Sequence, residues 1–346
     1  MSARMCRPLL GLAAVLGACA GGGVVGETST STTVSLSTST SSPVVSTSMT
    51  STTPTVPGLV PAQLPLAAEW VIASDEGVFL VLGGDDAAIA QLWDQPTSAA
   101  YMLGDDLVVA QGSTVSDSYP RLAEGPIVVI DPTGLRSLPI DEEKLVLLDA
   151  GVIGGQPVAL ATSRTGTTPD DTDERLLLID LDTGDRTDLG SVGGWESGVA
   201  RARLTDQGAV LLTESDAQQR VEMRSLTGTE EWAQGVGFDT LQALTVKDSE
   251  VAMLQPGFTE PGFTPTLTID RYGLADGTNL GSTTITLQPL DEVRIEGGFC
   301  FTAEWVGEAL ACDQTYGGPL LISTTGTVDY LGDLEQGVVT VPRVGH

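Results

Sequence analysis

Five times between residues 127 and 326 the chain repeats one short phrase: a run of apolar residues, a polar or acidic residue, and a turn closed by glycine. Ile127-Val128-Val129-Ile130-Asp131 leads to Pro132-Thr133-Gly134, and Leu176-Leu177-Leu178-Ile179-Asp180 to Asp182-Thr183-Gly184. Val221 to Ser225 then leads to Leu226-Thr227-Gly228, Leu267 to Asp270 to Ala275-Asp276-Gly277, and Leu320 to Ser323 to Thr324-Thr325-Gly326. The steps from one closing glycine to the next are 50, 44, 49 and 49 residues. A self-similar period of this size belongs to architectures in which each unit buries its apolar surface only by stacking on its neighbours.

Each period has room for four short strands. In the second unit these fall at residues 145–148, 158–161, 176–179 and 186–189, so the stretch LLLIDLDTGDRTDLG reads as third strand, turn and fourth strand. The 41 glycines and 19 prolines supply the turns between them, and no long 3.6-residue periodicity competes. Four strands in a repeat of this length make a β-propeller blade. Residues 66–93 hold three further strands (70–73, 78–82 and 87–92), and residues 338–341 hold one. The expectation is therefore all-β: a six-bladed propeller of four-stranded blades over residues 66–346. N- and C-terminal strands pair in its last blade, which removes the free edges of an open array.

The period and turn chemistry resemble the bacterial TolB-like and WD40-like repeat families of six-bladed propellers over residues 66–344. For lipid-anchored relatives the resemblance implies a scaffold or binding surface in the cell envelope. Leu226-Thr227-Gly228-Thr229-Glu230-Glu231-Trp232 also looks like the Thr-Gly-to-Trp repeat of pyrroloquinoline-quinone propellers. The other units place Leu or Pro at the Trp position, and the chain is too short for eight such blades, so no quinone is expected.

At the N-terminus, Arg4 and Arg7 precede an apolar stretch from Leu9 to Leu16. It is shorter than the roughly 20 residues a membrane-spanning helix needs and reads as a cleaved signal. Leu16-Gly17-Ala18-Cys19 resembles the lipobox of bacterial lipoproteins, which implies cleavage after residue 18 and diacylglycerol, palmitate included, on the Cys19 thiol. Residues 19–65 follow as a tether, rich in Ser and Thr from Glu27 to Pro57 and with no charge in that stretch after Glu27. Ser and Thr make up 21 of the 31 residues from 27 to 57, and such a segment buries too little apolar area to offset the entropy of ordering it. The expected setting is extracytoplasmic, a monomer held to the membrane by the N-terminal lipid alone.

Charge excludes some partners. With 46 acidic and 16 basic residues the formal charge is −30, and a phosphate-rich partner would be repelled. Nucleic acid and anionic head groups are therefore not expected, whereas a cationic partner or calcium is permitted.

Catalytic constellations are scarce. The single histidine, His346, is the last residue, so Ser-His-Asp and Cys-His chemistry lack an imidazole. Of four cysteines, Cys6 lies in the signal and Cys19 is the lipid site, leaving Cys300 and Cys312 for the domain. A hairpin centred on Val306 would set them opposite each other, and a disulfide follows in an oxidising compartment. Acid–base chemistry would need paired carboxylates, for which Asp149 and Glu296 are candidates near inner strands. Asp180, Asp182 and Asp185 alternate around a Gly like the start of a calcium loop, but lack its glycine and glutamate positions; a hairpin turn explains the same residues. Two long insertions stand out, residues 163–173 and 255–265, with the acid-rich residues 167–174 taken as an excursion between blades. The second reads QPGFTEPGFTP and offers Phe258 and Phe263 as aromatic contact residues. The favoured expectation is a non-enzymatic binding or scaffold module for a protein or envelope component, without a cofactor. A carboxylate-based hydrolase of envelope glycans and a calcium-stabilised structural module are the alternatives.

Overall fold

The structure is a computed structural model. It describes residues 68–82, 88–113, 125–138, 145–165, 173–193, 197–215, 218–237, 243–259, 263–290, 293, 295–316, 319–330, 338–340 and 343. Cys19, the tether and His346 lie outside these residues.

Among the described residues all 25 elements are strands. β1 (Ala68–Ser74), β2 (Gly77–Leu82) and β3 (Ala88–Trp93) come first. Blade one is β4 (Thr97–Leu103), β5 (Leu107–Gly112), β6 (Ile127–Asp131) and β7 (Gly134–Ser137). Blade two is β8 (Leu145–Ile153), β9 (Gln156–Thr165), β10 (Asp173–Asp180) and β11 (Arg186–Gly193). Blade three is β12 (Ser197–Thr205), β13 (Gly208–Ser215), β14 (Gln218–Ser225) and β15 (Glu230–Val236). Blade four is β16 (Ala243–Lys247), β17 (Glu250–Thr259), β18 (Thr264–Gly273) and β19 (Asn279–Thr286). A short β20 (Gln288–Pro289) precedes blade five, which is β21 (Glu296–Val306), β22 (Ala309–Tyr316), β23 (Leu320–Ile322) and β24 (Thr327–Tyr330). The last strand, β25 (Val338–Thr340), pairs with β1 to give the sheet order β25-β1-β2-β3. Six blades and a closing blade built from both ends are what the repeat implied. β20 is an addition: it pairs in parallel with β24 and covers the outer edge of blade five.

First strands form the inner ring, in contact in the order β4, β8, β12, β16, β21, β25 and back to β4. The core is divided among the seams between blades. Leu177 and Ile179 join the apolar cluster shared with blade one, whereas Leu176 belongs to the cluster shared with blade three. A third strand is thus covered on both faces, so it shows an unbroken apolar run rather than alternation. Burying each such leucine stabilises the fold by about 1.5–3 kcal/mol. The outermost strand escapes this constraint, and β11 is exposed at Arg186, Thr187, Asp188 and Ser191.

The repeated glycine has two causes. Gly228 and Gly277 have φ of 85° and 66°, a region open to glycine at little cost. Each also presses on the preceding blade: a Cβ at Gly228 would lie 2.7 Å from the Leu189 carbonyl oxygen, and one at Gly277 2.6 Å from the Trp232 ring. Trp232, the residue that looked like a quinone-propeller signature, donates from Nε1 to Leu274 O of the next blade at 2.8 Å.

Two loop readings change. The described part of residues 163–173 is strand, as is nearly all of that of 255–265: β9 and β10 pair out to Thr165 and Asp173, and β17 and β18 out to Thr259 and Thr264, while 166–172 and 260–262 lie outside the described residues. Each insertion thus begins and ends in the ladder of one antiparallel pair, β9 with β10 and β17 with β18. The acid-rich residues 167–174 accordingly join second and third strands of one blade rather than two blades. These second-to-third connections lie on one face of the ring. The opposite face carries the first-to-second and third-to-fourth turns, and also the start of β1 at Ala68.

Candidate functional site

Register irregularities shape the inner ring. β4, β8, β12 and β21 each carry a bulge against their second strand, and bulges re-aim the side chains beside them. In β8 the irregularity falls between Leu147 and Asp149, and Asp149 emerges on the axis with no exposure to solvent. A charged carboxylate there persists only if it is paired and hydrogen-bonded.

Its partners come from distant parts of the chain. Asp149 Oδ2 accepts from Arg343 Nη1 at 2.7 Å and from the Leu204 amide at 2.6 Å. Arg343 Nη1 also donates to Ala150 O at 2.9 Å, and Nη2 to Glu304 Oε1 at 3.0 Å. Arg203 Nη2 lies 3.2 Å from the same Glu304 oxygen and donates to Ala303 O at 2.8 Å. Arg201 Nε, two residues earlier, reaches Phe301 O at 2.6 Å, so blade three is tied across the axis to blade five. The Arg343 guanidinium lies 5.3 Å from the centroid of Tyr101, whose hydroxyl donates to Leu148 O. Burial opposes the charge on Arg343, but Asp149 and Glu304 outweigh it and hold its pKa above the ordinary guanidinium value. Burial first, then Asp149, pushes the Tyr101 phenol well above its usual range.

Arg343 is also held by its backbone: its amide donates to Met102 O, and its carbonyl accepts from Gly104 N, both at 2.8 Å. Thr340 Oγ1 donates to Ala100 O at 2.8 Å. The C-terminal segment thus sews the closing blade to blade one and places a cation on the axis.

Above this cluster, on the face of the first-to-second turns, opens a funnel of about 440 Å³. Arg203, Arg343 and Glu304 lie at its polar floor. Val152, Ile153, Leu204, Val246, Leu274 and Trp305 supply apolar wall, and Asp206, Gln207 and Asp248 stand on the turns at its rim.

The expected site residues separate. Asp149 is axial. Glu296 begins the inner strand β21, but the carboxylate that joins Asp149 is Glu304, which the sequence reading passed over together with Arg203, Arg343 and Tyr101. The available signal was a charged residue flanked by apolar ones in a first strand, as in Ala202-Arg203-Leu204 and Ala303-Glu304-Trp305.

Asp180 Oδ1 accepts the amides of Asp182 at 2.9 Å and Thr183 at 2.8 Å, and Thr183 Oγ1 accepts from Asp185 N at 3.1 Å. The three aspartates are not gathered as a ligand set, and among the described residues no three acidic, His or Cys side chains form a group that could hold a metal ion. Hydrogen bonding, first from the Thr183 backbone, lowers the Asp180 pKa.

Cys300 and Cys312 are bonded, with Cα atoms 4.6 Å apart. They are not directly opposed, as a hairpin centred on Val306 would require. The turn is at Gly307-Glu308 and Cys312 pairs with Ala303, so Cys300, Phe301 and Thr302 together face Asp313. This excursion, with Cys300 at φ 53°, brings its sulfur to that of Cys312. At the blade-four hairpin tip, Phe258 is 49% exposed and rests edge-on against Phe299, with centroids 6.3 Å apart. Phe263 is 72% exposed at φ 52°.

No family model matches the sequence, and none of the curated proteins does. Among solved structures, a functionally unknown protein from Desulfotomaculum acetoxidans DSM 771 is similar at 14% identity and TM-score 0.44, over 80% of this chain and 89% of that one. A Lactobacillus plantarum protein gives 12% identity and TM-score 0.46, over 78% and 82%. An oligogalacturonate lyase in complex with manganese gives 12% and 0.41, over 74% and 70%. At these values the likenesses bring no activity to this protein.

Proposed function

We propose that the protein is a lipid-anchored, extracytoplasmic binding module, non-enzymatic, that holds a protein or other envelope component through the hairpin tip bearing Phe258 and Phe263. The exposed phenylalanine pair carries this reading. A bulky aromatic kept in solvent at positive φ is costly twice over, and such strain concentrates where a surface makes contact. The tip belongs to the second-to-third connections, whereas β1, into which the tether leads, begins on the other face. The lipobox-like Leu16 to Cys19 and the Cys300–Cys312 bond support the compartment. The occupation of Asp149 and Glu304 by Arg343 and Arg203 supports a binding role over acid–base chemistry.

The test is photocrosslinking in intact cells from a probe at position 263 of the full chain, beside a Phe258→Ser/Phe263→Ser variant in envelope pull-downs. The expected outcome is one dominant crosslinked partner, lost from the variant's pull-down while its melting temperature is kept. Retention of the same partner by the variant overturns the reading. Cys19→Ser should release the protein from the membrane fraction and abolish incorporation of labelled palmitate.

A further inference from the structure

The axial funnel lies on the opposite face from the hairpin tip, and nothing in the binding reading uses it. Its lining sets three carboxylates beside two guanidinium groups, so charge of either sign meets like charge there. An anion entering it meets the carboxylates of Asp206, Asp248 and Glu304, and a cation meets the guanidinium groups of Arg203 and Arg343. A wholly apolar ligand would strand those groups without water, and each one left unsatisfied opposes binding. A hydroxyl group, both donor and acceptor, suits a floor where guanidinium and carboxylate alternate within 3.2 Å.

Further observations point the same way. Both arginines engage Oε1 of Glu304, so Oε2 is the oxygen neither of them uses. Arg203 Nε and Trp305 Nε1, on residues lining the funnel, are buried donors without a protein partner. Trp305 and the aliphatic wall offer apolar surface next to these polar groups, as the C–H face of a sugar ring requires. The floor is pinned by backbone bonds to Met102 and Gly104, so it is formed before a ligand arrives and little ordering entropy opposes binding.

We propose that this funnel is a binding site for an uncharged, polyhydroxylated ligand, a saccharide unit.

The experiment is titration of the full chain, by calorimetry and ligand-observed NMR, with glucose, N-acetylglucosamine and cellobiose as neutral probes. Glucosamine and glucuronate serve as charged counterparts of glucose. The expected result is saturable binding of at least one neutral sugar, about tenfold tighter than either charged analogue, since like-charge contacts penalise both. Ile153→Trp, which fills the wall, should abolish that binding with an unchanged circular dichroism spectrum. Gln207→Trp, on an exposed turn, does the same from the rim should the first variant fold poorly. Absence of binding by all neutral probes overturns the proposal. So does equal or tighter binding of a charged analogue, or binding that survives both blocking substitutions. Phe258→Ser/Phe263→Ser must leave sugar binding unchanged, which separates this site's failure from that of the hairpin tip.

Discussion

Asp180 and Asp149 lie in the same blade and meet opposite fates. Asp180, at the end of β10, satisfies its carboxylate with amides two and three residues ahead. Asp149, on β8, depends on Leu204, 55 residues away, and on Arg343, 194 residues away. The first arrangement is complete once one hairpin forms and recurs in other blades, as at Asp131 with Thr133. The second exists only when the ring has closed. Outer hairpins therefore define the blade, while the axis reports whether six blades have become one molecule.

The sharpest way to break this contrast is Arg343→Ala. It leaves the buried Asp149 without its arginine and Glu304 with Arg203 alone, and breaking such a pair typically costs about 3–5 kcal/mol. Chemical denaturation should show that loss. Arg343→Lys should fall between variant and parent, because one ammonium replaces a fork that reaches two carboxylates. A loss below 1 kcal/mol for Arg343→Ala would mean that the axis contributes little to closure.

Next in size is Cys300→Ser/Cys312→Ser. The bond ties an irregular part of the inner ring to its neighbour, and its removal should destabilise by about 2–4 kcal/mol. The same loss should appear when the native protein is reduced, as a drop in melting temperature.

The smallest effect is expected at the local end of the comparison. Asp180→Ala should cost about 1 kcal/mol or less at pH 7, the scale of a single surface turn bond. The carboxyl has its pKa lowered in the folded state, so its stabilisation is full above the unfolded value of roughly 3.9 and is lost as pH falls through the folded value. Urea melts of parent and variant should therefore differ most near neutrality and converge in acid. A difference that persists at low pH assigns the effect to something other than the ionised carboxylate.

Much of this was legible because repetition makes local rules visible. Apolar third strands, the turn aspartates and the closing glycine follow from neighbours within a few residues. Their spacing implied blade number and the one-plus-three closure, and cysteine arithmetic implied the disulfide. The axis was half legible: Asp149 stood out as an acid near an inner strand, but Glu304, Arg203 and Arg343 did not. Their meaning depends on bulges at Leu147/Asp149 and between Phe299 and Ala303, irregularities that no residue pattern announced. The position of the disulfide hairpin was misjudged for the same reason, by the residues the excursion adds.

By itself the sequence determined a ring of repeated hairpins, because strand, turn and seam contacts are short-range and were written six times over. Tertiary structure alone decided which charges meet on the axis and that a funnel forms above them. Those features join residues scores to hundreds of positions apart, brought together by closing the ring, and no local pattern encodes such a distance.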